Sequence, residues 1–154
     1  MKRIIKVEKM EGPWTQLGAS TGYPKLAYAM GEVKRVVSAI FPELAGTKLF
    51  VGCPHTMEKH SHHQVKDTDR SGKNWRAFMH TGHFDNTICV HPHAEKELKM
   101  DQLIGMVFHE FGHRIADLKK VKNTQKNADL MIEKYFGIKI RYRGPGRIQY
   151  VRAS

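Results

Sequence analysis

Two histidines four residues apart, with a glutamate beside the first, sit at the centre of Met106-Val107-Phe108-His109-Glu110-Phe111-Gly112-His113-Arg114-Ile115. Residues four apart share one face of an α-helix, so the imidazoles of His109 and His113 can reach a single metal ion. Glu110 stands where a carboxylate can take a proton from a water held by that ion. Metal-assisted hydrolysis uses this set: neutral nitrogen ligands, and a base for the nucleophilic water. The pattern is short, and the chain contains 10 His. Its surroundings must therefore decide what it means.

Met100 to Leu118 reads as one helix with Asp101 as its N-cap. Ile104, Val107, Phe108, Phe111, Ile115 and Leu118 recur at about 100° per residue and form an apolar stripe. His109 and His113 fall on the other side of that helix. Histidines serving the core would share the stripe, whereas these two face a different surface together. Gly112 costs about 1 kcal/mol relative to Ala in a helix interior, which implies a close neighbour at that point.

After the basic turn Lys119 to Thr124, Asn123 or Thr124 caps a second helix, Gln125 to Phe136, which Gly137 ends. Each helical residue rises about 1.5 Å, so an antiparallel return brings Ala128 or Asp129 level with His113. Asp129 is the expected third metal ligand. Gln125 and Glu133 lie one turn to either side on the same face and are the alternatives. Asp129 also reads as a solvated residue, or as an acceptor that orients a metal-bound histidine.

The remaining elements frame this pair. Leu26, Met30, Val33, Val37 and Ile40 mark an amphipathic helix that starts near Pro24 and ends before Pro42. Thr47 to Val51 is a short strand. Trp75 to His80 and Asn86 to Val90 form a hairpin across a turn at 81–85, closed by Pro92. Ile138 to Arg143 and Arg147 to Arg152 form a second hairpin across Gly144-Pro145-Gly146. That hairpin buries Ile138, Ile140 and Tyr142 on one face and displays a row of positive charge on the other. Lys2 to Lys9 is a strand or an ordered arm, and Glu11 to Gly22 a loop. Cys53 to Lys73 is polar; its His55, His60, His62 and His63 are read as a loop flanking the cleft rather than a second metal site.

A chain of 154 residues, 40% hydrophobic and 27% charged, is expected to fold as a single α+β domain spanning 1–154. No run approaches the length needed to span a bilayer, and the N-terminus lacks the core of a secretion signal. A cytoplasmic protein with no membrane partner is expected. Cys53 and Cys89 read as reduced thiols. The formal charge of +11 attracts nucleic acid, anionic lipid or acidic protein without naming one. The oligomeric state is open.

The segment Val90-His91-Pro92, the helix with His-Glu-x-x-His and the helix with Asn127-Ala128-Asp129 together resemble the zincin metallopeptidases. The likeness is to small cytosolic members with a minimal fold, ImmA/IrrE-like and gluzincin-type, and spans roughly Thr47 to Gly137. It implies a zincin-like minimal fold with a small mixed sheet, an active-site helix and a following helix, to which the N-terminal helix and the C-terminal basic hairpin read above are added. It also implies one Zn2+ on His109, His113 and a third ligand, with a protein or peptide as substrate. Two positions depart from the pattern. Gln125 stands four residues before the Asp, where gluzincins often carry a Glu ligand, and Arg114 follows the second histidine, where an uncharged residue is usual. The SprT/Spartan-like proteases join the same helix motif to DNA association, but no further histidine follows His113.

The expected function is a zinc-dependent metallopeptidase with Glu110 as general base on zinc-bound water. His80, His83, Tyr135 and Tyr142 are candidates to stabilise the oxyanion, and Asn86 to Val90 to pair with an extended substrate. The alternatives are a non-catalytic zincin-fold binding protein, or a DNA-associated protease. Either would use Arg141, Arg143, Arg147 and Arg152 to meet nucleic acid or an acidic partner.

Overall fold

A computed structural model describes residues 15–16, 22–51, 79–81, 86–90, 94–143 and 148–151. Lys2 to Lys9, Cys53, the His55 to His63 cluster, Trp75 to Phe78, His83, His91, His93, Arg147 and Arg152 lie outside the described residues. The chain divides into two compact units, one from 1–24 and 46–97, the other from 25–45 and 98–154.

The first unit holds a four-stranded mixed sheet. Its strands are β1 (Thr15–Gln16), β2 (Lys48–Val51), β3 (Met79–Thr81) and β4 (Thr87–Val90), in the order β1-β2-β4-β3. β2 and β4 run parallel, pairing Lys48 with Thr87 through to Val51 with Val90. The predicted hairpin is present as β3 antiparallel to β4, with His80 opposite Cys89. One expectation is corrected here. β4 is an interior strand hydrogen-bonded on both sides, so it offers no free edge to an extended substrate. All four of its residues are buried, the pattern of a strand covered on both faces. A short helix, α2 (Ala94–Glu97), follows.

The second unit is built on three helices and a hairpin. Helix α1 (Pro24–Ile40) buries Leu26, Ala29, Met30, Val33 and Val37 at the predicted spacing, but Ile40 is half exposed and leaves the stripe. A 3-10 turn at Pro42–Leu44 follows. Helix α3 (Met100–Leu118) and helix α4 (Gln125–Phe136) occupy the ranges their periodicity predicts. The N-cap of α3 is Lys99 rather than Asp101; the Gln102 side chain accepts from the Lys99 amide at 2.8 Å. Thr124 caps α4, its hydroxyl accepting from Asn127 N at 3.0 Å. Gly137 ends that helix at φ 69°, in the left-handed region. Strands β5 (Ile140–Arg143) and β6 (Ile148–Val151) form the C-terminal antiparallel hairpin.

Helix α3 is the hub of this unit, lying against α4, β5 and β6. It is buried well beyond one stripe: Gly105 to Gly112 is buried without a break, while Leu118 is exposed. The face that carries the histidines is therefore covered by α4. Phe41, Phe108, Tyr135 and Phe136 close the end of the α3–α4 pair, with Phe41 edge-on to Tyr135 at 4.9 Å between centroids. Among the described residues, no helix is long and apolar enough to cross a membrane.

Candidate metal centre

Gly112 explains how α4 comes so close to the histidines. A Cβ on Gly112 would stand 2.2 Å from the carbonyl oxygen of Ala128 and 2.8 Å from its carbon. The backbones of α3 and α4 thus touch at a glycine, opposite an alanine that is itself fully buried. This is the close neighbour that a mid-helix glycine predicts. It brings the first two turns of α4 onto the His109–His113 face.

There, Nε2 of His109 and Nε2 of His113 approach to 3.2 Å, and Oε1 of Gln125 lies 2.7 Å from the first and 2.8 Å from the second. Three polar atoms thus converge on one point. His109 is almost wholly buried, His113 is half-buried and Gln125 is exposed, so solvent reaches the point from the Gln125 side.

The outer nitrogens fix which atoms carry protons. Nδ1 of His109 donates to Oδ1 of Asp129 at 2.6 Å. Nδ1 of His113 donates to Oδ1 of Asn123 at 2.5 Å. The Asn123 amide is oriented by its nitrogen, which donates to Oδ1 of Asp117 at 2.9 Å and to the His113 carbonyl at 3.3 Å. With both Nδ1 atoms acting as donors, both Nε2 atoms of the neutral rings present lone pairs. They face each other and an amide oxygen. Turning the Gln125 amide round would still leave two lone pairs opposed at 3.2 Å. Such a cluster calls for a cation.

The spacing of the two nitrogens fits zinc. Zn–N distances near 2.0–2.1 Å place ligands of a tetrahedral ion about 3.3 Å apart, and the two ring nitrogens stand at 3.2 Å. Gln125 sits a few tenths of an ångström closer, at hydrogen-bond distance. Among the described residues no group of three His, Cys, Asp or Glu can hold a metal, because the third donor here is an amide. Without a metal, the competing cation is a proton. Burial pushes the His109 pKa down, but the hydrogen bond to Asp129, the charges of Glu110 and Asp129 and the Gln125 oxygen outweigh it, and the net shift is upward.

Of the three residues expected to offer a third ligand, Asp129 lies on the outer nitrogen of His109 and Gln125 on the inner one; Glu133 is exposed one turn beyond. Glu110 is buried and its charge acts on His109. Tyr142 donates its hydroxyl to Oδ2 of Asp129, and Tyr135 packs on Phe41, with Lys119 Nζ 5.6 Å from both ring centroids. His80 belongs to β3 in the other unit. Asn123 was legible only as a helix cap. The repeat of the four-residue step, His109/His113 on α3 and Gln125/Asp129 on α4, is the signal that could have paired the helices correctly.

Comparison with family profiles, with curated proteins and with solved structures finds no match to this chain.

Proposed function

We propose that the chain is a zinc-dependent metallopeptidase of zincin-like fold. The observation that supports it most is the convergence of His109 Nε2, His113 Nε2 and Gln125 Oε1 beside a buried glutamate. When bound, zinc supplies Lewis acidity, polarising a carbonyl and lowering the pKa of a water towards about 7. The protein supplies the rest. His109, His113 and Gln125 would hold the ion, while Asp129 and Asn123 keep the two imidazoles in the ligating tautomer. Glu110 accepts the proton of the attacking water and returns it to the leaving amine.

The neutral Gln125 favours a second reading, a zinc-binding protein of the same fold without peptidase activity. Glu110→Gln separates the two. In a peptidase it abolishes hydrolysis of a denatured protein substrate and leaves zinc content at one ion per chain. A wild-type chain that loads zinc and cleaves nothing supports the binding reading. A chain with no affinity for zinc overturns both.

A further inference from the structure

The hydrogen bonds around the histidines do not stop at their first partners. Each imidazole heads a chain of two further groups, His113–Asn123–Asp117 on one side and His109–Asp129–Tyr142 on the other. The first closes back on the last turn of α3 through the turn that follows it. The second leaves the helices altogether and ends on β5. Along that strand Ile140 is buried and Tyr142 half-buried, while Arg141 between them is exposed. Tyr142 is thus the inward-facing residue of the C-terminal hairpin at the level of Asp129.

We propose that Tyr142 is a positioning residue of the metal centre, acting through Asp129; this rests on the zinc reading above. A carboxylate that accepts on one oxygen only can rotate about its Cβ–Cγ bond. Asp129 accepts on both: Oδ1 from His109 and Oδ2 from Tyr142. The Tyr142 hydroxyl holds the carboxylate in the plane that keeps Oδ1 on the ring nitrogen. It therefore holds the ring with Nε2 aimed at the point shared with His113 and Gln125. The hairpin is a working part of the site rather than a basic appendage to it.

The test is a double-mutant cycle on the full-length chain, with zinc affinity read by competition against a chromophoric chelator. Asp129→Asn should weaken zinc by about 10- to 100-fold, as outer partners of metal-bound histidines do. Tyr142→Phe, which keeps the ring and removes only the hydroxyl, should weaken it by about three- to tenfold. The double variant should bind as Asp129→Asn alone does, because the tyrosine works through the carboxylate. Cobalt(II) in place of zinc should show an altered visible absorption in Tyr142→Phe. Zinc affinity and cobalt spectrum unchanged in Tyr142→Phe, or losses that add in the double variant, overturn the inference while leaving the zinc centre intact. A wild-type chain that takes up no zinc overturns the metal reading and this inference together.

Discussion

At the scale of single residues, His109 and His113 differ in what holds them. The buried ring leans on a carboxylate and the half-buried ring on a neutral amide. A charged partner offsets the cost of burying an imidazole that must carry positive charge, whether from a proton or from an adjacent ion. The His109 pKa lies above the ordinary histidine value of 6.5. A raised pKa in the folded state stabilises the metal-free protein below 6.5, and this contribution is lost as the pH rises through the His109 value. In the proposed centre, zinc and the proton would compete for the same nitrogen, so zinc affinity should run the other way. It should climb as the pH rises towards the raised His109 value and level off once His109 has lost its proton, as chelator competition at a series of pH values would show. An affinity flat across that window would remove His109 from the ligand set. The sequence made His109, Glu110 and His113 legible as a group. It left Gln125 and Asp129 unresolved because axial rise says how far along a helix a residue lies, not which ring nitrogen it meets. One turn of α4 spans the imidazole, so both residues contact His109 from opposite sides.

At the scale of elements, the crossing of α3 and α4 at Gly112 and Ala128 sets the geometry of the site. Gly112→Ala gains about 1 kcal/mol of helix propensity, but its methyl group would meet a main-chain carbonyl that cannot rotate away. Overpacking of this kind costs about 1–3 kcal/mol. The net effect should be destabilising, with a lower thermal midpoint. Because α4 must retreat with Gln125 and Asp129, zinc affinity should fall as well. A variant as stable as wild type with unchanged affinity would refute the close crossing. The helices were readable in sequence because periodicity, caps and the Gly137 stop all agree on them. The neighbours of each strand were not. Alternation and turn residues announce a strand without saying what pairs beside it, and pairing of β4 with a substrate needs an edge that its unbroken Thr87-Ile88-Cys89-Val90, the composition of an interior strand, does not have.

At the scale of the whole molecule, the centre joins α3, α4 and the turn between them within one of the two units. An ion that binds only the folded chain stabilises it by mass action, by about 2.7 kcal/mol at a free concentration one hundred times its dissociation constant. Calorimetry should therefore show a thermal transition that rises with added zinc and falls back with a chelator. A transition unmoved by zinc would mean that the centre does not assemble in the folded state. The α+β arrangement of helices with a small mixed sheet follows from local patterns that a sequence carries openly. The division into two units does not, because three of the four strands of the sheet, β2, β3 and β4, separate α1 from α3 in the chain.

The amide of Gln125 has one more consequence. Two imidazoles and an amide carry no charge, so a divalent ion held by them keeps both of its own, where a carboxylate ligand would cancel one. Peptide cleavage creates a new carboxylate at the point of the cut. In the peptidase proposed above, a centre with its full double charge would grip that product harder than the substrate's neutral carbonyl, and departure of the severed chain rather than the cut itself would set the rate.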